Sequence, residues 1–112
     1  MYSQKKMLKT FVIDIDGTIC NNDGNYESSI PKLERIEKIN TLYDEGHTIK
    51  YFTARGMGRY KDNEKLAYQE FYSLTHTQLK SWGCKFHQLI LGKPSGDIYI
   101  DDKGINANEF FN

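Results

Sequence analysis

Apolar residues along this chain fall into short runs divided by polar turns, and the spacing inside each run predicts alternating strands and helices. Residues 10–15 hold Phe11, Val12, Ile13 and Ile15 with little polar interruption before Asp14, the pattern of a short buried strand. A polar stretch through Asn21, Asn22, Asp23, Gly24 and Asn25 follows, and Ser29-Ile30-Pro31 then sets a capping hydroxyl ahead of a proline suited to a first helical turn. Leu33, Ile36, Ile39, Asn40 and Tyr43 recur at helical spacing, and Gly46 offers the left-handed residue that ends a helix. Residues 48–53 return to strand character through Ile49, Tyr51 and Phe52, completing a strand, helix, strand unit of the parallel type. Residues 54–63, with Gly56 and Gly58, read as a loop leading to a helical segment over 64–72. Thr75 and Gln78 have capping-box spacing, which predicts a second helical piece running to Trp82 and stopped by Gly83. Residues 85–91 and 97–101 are the third and fourth predicted strands, and a last turn starts near Asn106, with Phe110 and Phe111 as anchors for the tail. The predicted fold class is α/β with a short, mainly parallel sheet of about four strands.

Composition narrows the function classes. The chain has 112 residues, a length that suits one domain spanning 1–112. Hydrophobic residues make up 38% and charged residues 27%, a globular balance, and the mean hydropathy of -0.67 implies a thin core. Fifteen basic and fifteen acidic side chains cancel, so no broad positive field is available to hold nucleic acid. Cys20 and Cys84 are far apart and form no C-x-x-C pair, which argues against a zinc knuckle or a disulfide framework. The charged stretch 1–9 does not read as a leader, and no apolar run approaches the ~20 residues of a membrane span, so a cytoplasmic protein is expected.

Chemistry concentrates where the predicted strands end. Asp14-Ile15-Asp16-Gly17-Thr18 sets two carboxylates and a glycine turn just past the first strand, and in parallel α/β sheets ligands bind beyond the carboxyl ends of strands. Thr53-Ala54-Arg55 closes the second strand and offers a hydroxyl and a loop amide to a phosphate oxygen, although a threonine standing alone at a strand end is more often a packing or turn residue. Lys93 follows the third strand and supplies a positive charge, although a solvated surface lysine is the plain alternative. Asp101 and Asp102 end the fourth strand, and carboxylates there suit Mg²⁺, which takes oxygen ligands from one or two acids together with substrate phosphate and water. Arg55 and Arg59, in the glycine-containing loop, are further candidates for substrate contact. His47, His76 and His87 lack metal-ligand spacing and receive no role.

Taken in order from Phe11 to Lys103, these motifs resemble the haloacid dehalogenase (HAD) phosphatase superfamily: an Asp-x-Asp-x-Thr motif, then a Thr or Ser, then a Lys or Arg, then an acidic pair. The resemblance implies a three-layer Rossmann-like core and a Mg²⁺-dependent phosphomonoester hydrolase. In that scheme Asp14 is the nucleophile and passes through an aspartyl-phosphate, while Asp16 is the general acid and then the general base. Thr18 braces the loop, and Thr53 and Lys93 hold phosphate oxygens. Asp14, the Asp16 carbonyl and Asp101 bind Mg²⁺, with Asp102 and Arg55 in support. The spacing also departs from larger family members, because neither usual position for a cap domain carries an insertion. The site is therefore expected to be open, with a homo-oligomer, dimer or tetramer, covering it; Tyr26, Tyr60, Phe71, Tyr72 and Trp82 are candidates for that contact.

Two rival readings share part of this pattern. A response-regulator receiver domain has its acidic pair after the first strand, the reverse of the order here, and a non-catalytic phosphate-binding module would need none of the complete side-chain set. The short capless members that the chain resembles are associated with capsule, polysaccharide and sugar-phosphate metabolism, so a sugar phosphate is the expected substrate. A polynucleotide 3′-phosphatase is the alternative, disfavoured by the neutral charge.

Overall fold

Alternation in the strands fixes which side of the sheet is dry. In a computed structural model that describes residues 7–112, β1 (Thr10–Asp14), β4 (Thr48–Thr53) and β5 (Gln88–Leu91) form a parallel sheet in the order β1-β4-β5. Positions 1–6 of the charged amino-terminal stretch lie outside the described residues. The register sets Ile13 beside Tyr51 and Tyr51 beside Leu89, all three buried. One residue earlier, Val12, Lys50 and Gln88 form the row on the opposite face, where Val12 is 60% exposed. That contrast is the period-two signature of a sheet covered on one side.

The connections explain which side is covered. α1 (Leu33–Asp44) joins β1 to β4 and α2 (Glu64–Ser81) joins β4 to β5, both steps running in the same direction across the sheet. Right-handed crossovers then put both helices on one face. Ile36 and Ile39 of α1 and Leu79 of α2 join Ile13, Ile49 and Tyr51 in the core. α3 (Ala107–Phe110) returns to the same side, where Phe110 packs against Phe11 at 6.1 Å between ring centres. Among the described residues the helices thus form one layer on the sheet, against the three layers that the resemblance implies.

Four local differences from the sequence reading have physical causes. Ile30 and Pro31 do not start the helix: they form β3, paired antiparallel with β2 (Cys20–Asn21), and α1 begins at Leu33. The Ser29 hydroxyl is occupied elsewhere, donating to the Tyr26 carbonyl at 2.7 Å. α2 is one continuous helix capped by Asn63, so Thr75 and Gln78 lie in its interior and do not begin a new piece. β5 starts at Gln88 rather than 85, because His87 already pairs through its backbone N–H and its Nδ1 with the backbone of Ile49.

The fourth difference matters most for function: residues 97–101 form no strand. Ile98 and Ile100 are 79% and 92% exposed, so no burial against the core holds this passage extended. Tyr99 folds back instead, donating its hydroxyl to the Pro94 carbonyl at 2.6 Å. The sheet therefore has three strands, and the outer edge of β1 has no strand beside it among the described residues. The expected turn at Asn106 is α3, with the Asn106 side chain accepting from the Asn108 N–H. Among the described residues no helix is long and apolar enough to cross a membrane.

Candidate active site

The carboxyl ends of the three parallel strands carry Asp14, Thr53 and Lys93. β1 ends at Asp14 opposite Phe52, and the Lys93 backbone N–H donates to the Thr53 carbonyl at 3.2 Å, which draws the segment after β5 toward the end of β4. Ile15 and Ile19, both fully buried, pin the loop that follows β1 on either side of Gly17, whose φ of +83° lets the chain reverse. The Thr18 and Ile19 N–H groups both donate to the Ile15 carbonyl, so the loop is a fixed turn from which Asp14, Asp16 and Thr18 project.

Asp14 lies between a cation and a hydroxyl. The Lys93 ammonium is 3.2 Å from Asp14 Oδ1, and the Thr18 hydroxyl donates to Oδ2 at 3.3 Å. Burial pushes the Asp14 carboxyl above the usual carboxylate range, and the negative charge of Asp16 adds to that push, while Lys93 and Thr18 pull it down. Lys93 in turn lies 4.2 Å from the centre of the Tyr99 ring. Thr53 is buried, and its Oγ1 accepts the Arg55 backbone N–H at 3.1 Å, which leaves its own proton available to an acceptor.

Asp16 has partners of its own. Its two oxygens face the Arg55 guanidinium, with Nε to Oδ2 and Nη2 to Oδ1 both at 3.0 Å, and Asn22 Nδ2 donates to Oδ1 at 2.9 Å. Arg55, read from the sequence as a candidate for substrate contact, has a fully buried side chain. The two acids of the first motif thus have different partners, although the charge of Asp16 still acts on Asp14. Cys20, next to Asp16, holds its proton: burial and the Asp16 charge raise its thiol to about 11.

Asp101 and Asp102 do not join this group. Asp101 is solvent-exposed and accepts the Lys103 and Gly104 N–H groups, each at 2.6 Å, and those backbone donors hold its carboxyl below the usual range. Asp102 is likewise exposed, and the carboxylate paired with Lys93 is that of Asp14. Among the described residues no three acids, histidines or cysteines gather as a metal cage. Asp14 and the Asp16 carbonyl are oxygen donors of the class Mg²⁺ takes, but the third expected donor stands apart, so the arrangement fits the ion incompletely.

Sequence reasoning missed Tyr99 as the ring against Lys93, Asn22 as a partner of Asp16, and the helix residues that hold Arg55. Tyr99 carried an aromatic signal that strand patterning absorbed; Asn22 looked like any turn residue.

Comparison with known proteins adds to the fold. No family model matches the chain, and no curated protein matches it. The chain is similar to the crystal structure of an MCSG target from Vibrio cholerae, with 27% identity over 93% of this chain and 88% of that one, at a TM-score of 0.86.

Proposed function

We propose that the chain is a phosphomonoester hydrolase of the HAD type, in which Mg²⁺ binding would draw residues 97–101, which form no strand in this structure, alongside the outer edge of β1 as a fourth strand. The reading rests on one observation above the others: a partly buried carboxylate at the end of a parallel strand, Asp14, is flanked by an ammonium at 3.2 Å and a hydroxyl at 3.3 Å, beside a second strand-end hydroxyl, Thr53. A nucleophile, a cation and hydroxyl donors at one mouth are the parts that phosphoryl transfer needs, since its catalysis is mainly positioning and charge stabilisation.

An Asp14 oxygen attacks phosphorus as the bond from phosphorus to the ester oxygen breaks. Asp16 gives that oxygen a proton, and the alcohol leaves. Asp16 then takes a proton from water, the water oxygen attacks the same phosphorus, and the bond to Asp14 breaks, releasing inorganic phosphate. Lys93 and Thr53 hold the non-bridging oxygens throughout. Asp14 and the Asp16 carbonyl would hold Mg²⁺, with Asp101 joining them in the fourth strand, and the ion would supply positive charge against the phosphate oxygens. Phosphorylated small metabolites, sugar phosphates first, suit a chain of zero formal net charge without a cap-sized insertion, and a second copy of the chain is the natural cover for the site.

The test is phosphate release from p-nitrophenyl phosphate with and without Mg²⁺, followed by kcat/KM for sugar phosphates, nucleotides and 3′-phosphorylated oligonucleotides. Wild type is expected to turn over only with Mg²⁺, and Asp14→Asn to lose at least about a thousandfold in kcat. Inactivity of the wild type across all these esters would refute the reading in favour of a non-catalytic module. A large preference for oligonucleotides would move the substrate class.

A further inference from the structure

Arg55 is an unusual residue to bury. Its side chain has no exposed surface, yet the guanidinium stays charged at any physiological pH, so it needs a partner charge and acceptors for all its hydrogens. It has them. Nε and Nη2 form a two-pronged pair with Asp16 at 3.0 Å each; Nη1 donates to Thr75 Oγ1 at 3.1 Å and Gln78 Oε1 at 2.6 Å; Nη2 also reaches Ser29 Oγ at 3.4 Å. These contacts use the full set of donors that an arginine carries. The Tyr26 ring lies 4.8 Å from the guanidinium carbon, and Gln78 Nε2 closes the circuit by donating to the Tyr26 carbonyl at 2.6 Å.

Three separate segments therefore meet on one side chain: the turn after β1, the 26–29 turn and the interior of α2. The two Asp16 oxygens are not equivalent in this setting. Oδ1 takes Arg55 Nη2 and Asn22 Nδ2, and the Cys20 thiol lies 3.6 Å away, whereas Oδ2 takes Arg55 Nε alone. Oδ2 is thus the less committed of the two oxygens, with a single protein donor on it.

We infer that Arg55 is a positioning residue for proton transfer: its buried fork orients the Asp16 carboxylate so that Oδ2 serves the leaving oxygen, and Thr75 and Gln78 hold the fork in place from α2. This rests on the phosphatase reading given above. Lysine cannot replace the fork, because an ammonium offers one point of charge where two parallel donors are needed.

The experiment measures kcat/KM for a series of phosphate esters, from p-nitrophenyl phosphate to phenyl and alkyl phosphates, in wild type, Arg55→Lys, Arg55→Met, Thr75→Val and Gln78→Leu. A leaving group that needs no proton should be almost indifferent to Asp16 orientation. Arg55→Lys and Arg55→Met are expected to lose about a hundredfold on alkyl and phenyl phosphates but less than about threefold on p-nitrophenyl phosphate, steepening the leaving-group dependence. Thr75→Val and Gln78→Leu should steepen it in the same direction by a smaller factor, and they carry the test if Arg55→Met does not fold. Equal losses on every ester, or none, would overturn the inference and leave the phosphatase reading standing. A wild type inactive on the whole series would overturn both.

Discussion

Tyr51 lies in the middle strand with its ring wholly buried, and its hydroxyl makes no well-formed hydrogen bond among the described residues; the Cys84 thiol beside it is at most a weak partner. Burial raises both groups, Cys84 to about 11, so each keeps its proton at neutral pH. A buried hydroxyl without a partner costs about 1–3 kcal/mol, so Tyr51→Phe is expected to stabilise the fold by roughly 1 kcal/mol. Urea unfolding reads this as a higher midpoint at an unchanged slope; a lower midpoint would reveal a partner for the hydroxyl. At this scale the sequence was readable where chemistry is local. Asp14, Thr18 and Lys93 were legible because their residue types stand at the ends of apolar runs, and the structure brings them within hydrogen-bond reach. Thr75 and Gln78 were misread because their spacing also matches a cap, and their true partner, Arg55, is brought to them only by tertiary packing.

Among the elements, the loop between β4 and α2 depends on close contact rather than on hydrogen-bonded ladder. Gly56 has a φ of +82°, and a Cβ there would fall 2.7 Å from Phe71 Cδ2 and 3.0 Å from the Ala67 Cα. Gly58, two residues on, faces open space. Gly56→Ala is therefore expected to cost about 2 kcal/mol or more, lowering Tm by roughly 10 °C, while Gly58→Ala changes Tm by no more than about 2 °C. Equal shifts for both in a thermal melt would refute the packing argument. Helix periodicity and glycine stops located α1 and the end of α2 well, since Gly46 and Gly83 do adopt positive φ, at 100° and 78°. The short β2–β3 ribbon was not legible: two-residue strands have no period to read, and their pairing depends on where the β1 turn delivers Cys20.

On the scale of the whole molecule, the sheet is covered on one face and bounded on one side by an edge without a neighbour, while Ile98, Tyr99 and Ile100 lie exposed nearby in sequence from the site lysine. Their β-branched and aromatic pattern was read as a strand from local preference, but a strand needs a partner, and Tyr99 takes Lys93 and Pro94 instead. If the four-stranded core proposed above forms, Mg²⁺ should slow hydrogen exchange at the amides of residues 98–100 by at least about tenfold, as β1 gains a neighbour. Exchange at the same rate with and without Mg²⁺ would count against the fourth strand.

The order β1-β4-β5 has a consequence for synthesis. Each strand leaves the ribosome in the sequence in which it takes its seat, so none has to be threaded between two already joined. Asp14 emerges first and Lys93 nearly eighty residues later. Until translation passes that lysine, the nascent chain carries the Asp14 carboxylate without the ammonium that will oppose it.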